Sequence, residues 1–123
     1  MATPNDSRTV PFTFTSALKR LGGDRQLLRE LAIIFYTDAP PVLKDLKRHI
    51  AARDSEEAAK LAHALKGLVV TFDDADRGHS MSDLVRSLRE EEWQTTQELL
   101  PHCERAIEEV TRECEKLISN SPI

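Results

Sequence analysis

The chain has 123 residues, 40% of them hydrophobic and 31% charged, and its formal net charge is −4. This composition is typical of one globular domain. Its basic residues are scattered, which argues against a nucleic-acid binder, and no apolar run is long enough to span a membrane. The N-terminus lacks the apolar stretch of a secretory signal. We therefore expect a single cytoplasmic domain over residues 1–123, with flexible ends at residues 1–13 and 119–123.

Helical periodicity begins near residue 16. A short helix over residues 16–21 is expected to stop at Gly22 and Gly23, and Asp24 is a good N-cap for the next helix. We expect that second helix to end at Pro40 and Pro41, which suit the first turn of a third helix. The apolar spacing predicts the buried residues of the second helix to be Leu27, Leu28, Leu31, Ile34 and Phe35, and those of the third to be Val42, Leu43, Leu46 and Ile50.

Three more helical segments follow. Asp54 or Ser55 is expected to cap a helix over residues 56–72, and the polar residues 73–79 are expected to form a loop or a frayed turn. A helix with Met81 and Leu88 on its apolar face comes next. The last helix covers residues 93–117, where Pro101 favours either a kink or a later start. Short connections favour antiparallel neighbours. The sequence therefore predicts an all-α fold, an antiparallel four-helix bundle with a short extra N-terminal helix.

Two cysteines, Cys103 and Cys114, lie eleven residues apart in the last helical segment. On a helix that separation is about 16 Å, too long for a disulfide, and it is close to three turns, so both side chains share a face. We interpret them as small core hydrophobes. The sequence has no metal-ligand spacing, so we predict no metal site and no cofactor.

His63 lies on the helix predicted over residues 56–72. At about 100° per residue, it points nearly opposite to the centre of that helix's apolar stripe. The stripe is expected to consist of Ala58, Leu61, Ala62, Leu65, Val69 and Phe72, whereas the face of His63 carries Glu56, Ala59, Lys60, Lys66, Gly67 and Val70. We therefore predict an exposed imidazole between small residues one turn away on either side, Ala59 and Gly67.

This arrangement suits a nucleophile that attacks a phosphoryl group on another protein. An imidazole is substantially unprotonated near neutral pH. Lys66 is expected to place an exposed ammonium beside the phosphoryl oxygens. Glycine inside a helix costs about 0.5–1 kcal/mol relative to alanine, so Gly67 suggests a need for access. Each residue taken singly is also compatible with a solvated surface, and we interpret His49, His79 and His102 as structural or surface histidines.

Two blocks of sequence resemble histidine phosphotransfer domains. The first is Leu61-Ala62-His63-Ala64-Leu65-Lys66-Gly67, which is similar to the family's signature. The second is Leu21-Gly22-Gly23-Asp24 with Leu27, Leu28, Leu31, Phe35 and Asp38-Ala39-Pro40, and together they cover residues 14–88. The resemblance implies a four-helix bundle with the active histidine exposed midway along one helix. It also implies a partner, the receiver domain of a response regulator, whose phospho-aspartate exchanges phosphate with His63.

The chain departs from the family pattern in two places. Leu68, Val69 and Val70 follow the glycine where small residues are usual, so Val70 either crowds the receiver or gives it an apolar contact. The next helix of the family normally begins soon after the position of Phe72, and aligning this chain with that pattern requires about four extra residues near residues 73–79. We assign receiver contacts to Ala59, Lys60 and Val70, and to Ile33 and Tyr36, which point away from the stripe of their own helix.

The sequence thus predicts a monomeric phosphocarrier without its own ATP site. Its partners would be a receiver domain, a hybrid sensor kinase, or both, with magnesium bound only to the receiver and no role for nucleic acid or membrane. One alternative is a helical interaction module that binds a receiver or kinase without carrying phosphate. A second alternative is a bundle that binds an effector between its helices, although the predicted core stripes are apolar.

Overall fold

The computed structural model describes residues 14–72 and 76–120, which form five helices and no strand. The all-α prediction is therefore confirmed. In chain order the helices are α1 (Thr15–Arg20), α2 (Arg25–Ala51), α3 (Ser55–Phe72), α4 (Asp76–Arg89) and α5 (Trp93–Asn120). The expected flexibility of residues 1–13 and 121–123 lies outside the described residues, whereas residues 119 and 120 belong to α5.

The turn between α1 and α2 forms as its residues predict. Gly22 and Gly23 have φ angles of 69° and 80°, in the left-handed region that glycine adopts without a steric penalty. The amide of Gly23 donates to the carbonyl of Leu18 at 2.9 Å and closes the end of α1. Asp24 caps α2, because its Oδ1 accepts a hydrogen bond of 3.0 Å from the amide of Leu27.

The prediction that Pro40 and Pro41 separate two helices is wrong, because α2 runs through both prolines to Ala51. Each proline lacks an amide hydrogen, and an interior proline costs about 3 kcal/mol or more. The helix nevertheless continues because residues on both sides of the pair, Ala39 and Leu46, are fully buried in the same core. Tertiary packing therefore outweighs the local preference of the prolines.

The four long helices pack as a ring. α2 lies against α3 and α5, and α4 lies against the same two helices, while the diagonal pairs barely touch. Because only three residues separate each consecutive pair of long helices, this is the predicted antiparallel bundle. α1 contacts the ends of α2 and α3, where the Phe14 ring packs 4.8 Å from the ring of Phe72. The Phe35 ring meets Phe72 edge-on at 5.6 Å, so aromatic side chains fill this end of the core.

Two predictions about individual elements need correction. Leu27 and Ile34 are 37% and 46% exposed, because the buried stripe of α2 runs instead through Leu28, Ala32, Phe35, Ala39, Leu46 and Ile50. α4 begins at Asp76, so residues 76–79 are helical rather than part of a loop. α5 passes through the exposed Pro101 and starts at Trp93 as predicted. Cys103 and Cys114 are buried and do not form a disulfide, which confirms their assignment to the core.

Candidate functional site around His63

The helix that carries His63 is anchored at both ends. At its start Asp54 provides the cap, since its Oδ1 accepts a hydrogen bond of 3.2 Å from the amide of Glu57. Near its end the guanidinium of Arg20, from α1, donates to the carbonyl of Thr71 at 3.1 Å. This contact satisfies a carbonyl of the last turn, which no helical amide can reach. The two anchors hold α3 in a defined orientation on the bundle.

His63 lies on the solvent side of α3, as predicted. The residues behind it, Ala58, Ala62, Leu65 and Val69, are fully buried, whereas His63 and Ala64 are exposed. Leu61, expected in the stripe, is only half-buried because it lies at the edge of the contact with the rest of the core. Within the described part of the chain, no hydrogen bond or ion pair involves His63. Both ring nitrogens are therefore available to an incoming group.

Lys66 and Gly67 flank the imidazole one turn towards the C-terminus. Lys66 is half-buried rather than exposed as expected. A lysine in such a position can pack its aliphatic stem and keep its ammonium in water. No other residue in the described ranges forms an ion pair with it. At Gly67 an added Cβ would meet no atom within 4 Å, so the core does not require glycine there. The space that the missing side chain of Gly67 leaves beside His63 is therefore available to a partner.

An open groove of about 500 Å³ leads from His63 towards the start of α3. Four of its lining residues come from the predicted face of His63, and the other two, Ser55 and Arg89, were not assigned to this face from the sequence. The lining consists of Ser55, Glu56, Ala59, Lys60, His63 and Arg89. Arg89 is the last residue of α4, and only the antiparallel packing of α4 on α3 brings it here. No local sequence pattern could have assigned it to this site.

The predicted partner contacts fall into separate places. Lys60 is exposed and lines the groove, whereas Ala59 is only 8% exposed and forms part of its wall. Val70 is 47% exposed on α3, one turn beyond Lys66. Ile33 and Tyr36 are exposed on α2, but the Tyr36 hydroxyl bonds to Glu115 of α5. Tyr36 is therefore directed to the α5 side of α2, away from the groove.

Two further observations on the described residues concern metal binding and membrane spans. Among residues 14–72 and 76–120 there is no group of three or more His, Cys, Asp or Glu side chains that could hold a metal ion. None of the helices in the same ranges is long and apolar enough to cross a membrane.

No curated protein and no solved structure matches the chain. A family model does match: the Hpt domain model covers residues 30–118, well over half of the chain, and this range includes His63, Lys66, Gly67 and Arg89. Hpt domains are helical bundles that act in phosphorelays and interact with receiver domains and kinases. The chain therefore belongs to the Hpt family, the histidine phosphotransfer domains of two-component signalling.

Proposed function

We propose that His63 accepts a phosphoryl group from the aspartyl phosphate of a receiver domain and passes it to another receiver. The observation that carries this assignment is the exposed imidazole of His63, which has no partner among the described residues and stands on a helix face opposite the buried stripe. A partner domain can approach it without any rearrangement of the bundle. We further propose that the chain works as a monomer in the cytoplasm.

The transfer is a single displacement at phosphorus. A lone pair of a neutral imidazole nitrogen attacks, an N–P bond forms, and the bond between phosphorus and the aspartate oxygen breaks. The bonding electrons leave on the receiver's carboxylate, and transfer to the next receiver reverses these steps. No ATP site is needed in this chain, and we assign the magnesium of the reaction to the receiver. Lys66 would stabilise the negative charge on the equatorial oxygens.

The test is labelling of the full chain by a panel of receiver domains carrying phospho-aspartate. We expect at least one receiver to transfer its label to the chain, in an acid-labile and base-stable form that indicates phosphohistidine. His63→Gln should abolish this labelling and keep the helical circular dichroism, because the side chain is exposed. His102→Gln is the matched control, since His102 is also exposed on a helix, and it should label normally.

Full labelling of His63→Gln would contradict the assignment. Tight binding of a phosphorylated receiver with no acid-labile label on the chain would instead support the alternative, a phosphorylation-independent interaction module.

A further inference from the structure

The groove beside His63 is longer than one phosphoryl group requires. Its lining on α3 runs from His63 back to Ser55, eight residues away, which at 1.5 Å per residue is about 12 Å. Arg89 is the last residue of α4, and α4 is antiparallel to α3, so Arg89 lies beside the first turns of α3. The far part of the groove can therefore take a second group from a partner bound at His63.

Arg89 is the uncompensated charge in this groove. Lys60 approaches Glu56 at 3.9 Å, and these two side chains, 67% and 85% exposed, partly neutralise each other. Arg89 is exposed and forms no ion pair or hydrogen bond with any residue that the structure describes. Glu90, the next residue along, follows it in the turn without pairing with it.

Arg86, on the same helix, is an arginine whose charge is paired within the protein. Its Nη2 lies 3.2 Å from Oδ1 of Asp83, and it does not line the groove. The two arginines lie three residues apart and are both exposed. They differ in that Arg86 already pairs with a carboxylate of its own helix, whereas Arg89 does not. Arg89 is thus the one of this pair that is free to bind an external anion.

We propose that Arg89 docks a carboxylate side chain of the receiver, distinct from the aspartate that exchanges the phosphoryl group. This inference rests on the proposed function, because it places the receiver over His63. A guanidinium binds a carboxylate with two parallel hydrogen bonds, which fixes orientation as well as adding attraction. Charge pairs at the edge of an interface mainly increase the rate of encounter and select the correct partner. Arg89 is therefore a specificity-determining contact, whereas Lys66 serves the phosphoryl group.

The experiment measures binding and phosphohistidine lifetime separately. From the panel, the receiver with the lowest Kd for the unphosphorylated full chain is titrated against Arg89→Ala, with Arg86→Ala as the matched control. We expect Arg89→Ala to raise Kd about fivefold at low salt, the size of a favourable partly exposed ion pair, and to weaken the salt dependence. Arg86→Ala should leave Kd unchanged, and both variants should keep the lifetime of the phosphohistidine.

Exchanging the charges of Arg89 and of a receiver carboxylate identifies which receiver side chain Arg89 contacts. Arg89→Glu should bind the receiver more weakly than Arg89→Ala, and a receiver with one surface carboxylate replaced by lysine should restore much of that loss. An unchanged Kd for Arg89→Ala would overturn the proposal. So would a shortened phosphohistidine lifetime with no change in Kd, because Arg89 would then act on the phosphoryl group.

The same titration in a His63→Gln background separates this proposal from the proposed function. If Arg89→Ala weakens binding in that background while no receiver labels the parent chain, the docking contact stands and the phosphocarrier assignment fails. If His63 is labelled normally and Arg89→Ala binds like the parent, only the docking contact fails.

Discussion

The hydroxyl of Tyr36, on α2, donates a hydrogen bond of 2.9 Å to Oε2 of Glu115 on α5. The hydrogen bond to the Glu115 carboxylate, followed by its negative charge and by slight burial, raises the pKa of Tyr36 above its ordinary value. The contact directs the ring towards α5. A role of Tyr36 in receiver docking, as predicted from its exposure, would therefore require a receiver that also reaches this side of α2.

Tyr36→Phe should remove a stabilising contact that depends on pH. A raised pKa in the folded state means that the contribution is fully present below the ordinary tyrosine pKa of about 10. It is lost as the pH rises through the higher folded value. We expect the Tm difference between parent and variant to shrink over that window. The chain has one tyrosine, so phenolate absorbance reports the titration directly, and Glu115→Gln should lower its midpoint.

Gly67→Ala should stabilise the fold, because the added methyl group meets no atom within 4 Å and alanine is the better helix former. The expected gain is up to about 1 kcal/mol in the free energy of unfolding, measured by denaturant titration. Gly67→Leu should fold but slow phosphotransfer, because its side chain would stand beside His63. A normal transfer rate for Gly67→Leu would show that access is not the reason for glycine at this position.

Lys66→Ala should slow phosphotransfer or shorten the lifetime of the phosphohistidine without abolishing labelling. Charge spreads over the equatorial oxygens during transfer, and a half-buried lysine three residues from His63 can stabilise it. Lys66→Arg should keep much of the function because the charge remains. Single-turnover assays at low and high salt provide the measurement. Parental rate and lifetime for Lys66→Ala at low salt would leave Lys66 without a phosphoryl-stabilising role.

Cys103 should resist alkylation in the native state. Burial, followed by the charges of Asp83 and Glu104, raises the pKa of its thiol to about 12, and the thiolate is the reactive form. The raised pKa contributes stability that is present below the ordinary value of 9.0 and is lost as the pH rises towards 12. Iodoacetamide should modify the chain slowly at neutral pH and rapidly in denaturant. Fast native modification of Cys103 would contradict its burial.

The helical fold and the position of His63 could be predicted from the sequence because both depend on local geometry. Residues three and four apart share a face of a helix, so the alternation of apolar and polar residues around His63 already implied an exposed imidazole. Asp24 as a cap and the two glycines before it followed from the backbone conformations that those residues favour.

Only the tertiary structure decided how distant segments meet. α2 continues through Pro40 and Pro41 because burial of both flanking segments outweighs a local penalty, and no local pattern reports that burial energy. Arg89 reaches the groove of His63, and Tyr36 reaches Glu115, because antiparallel packing places residues of different helices side by side. The position of the nucleophile thus follows from the sequence of one helix, whereas the surface around it depends on the free energy of packing several helices together.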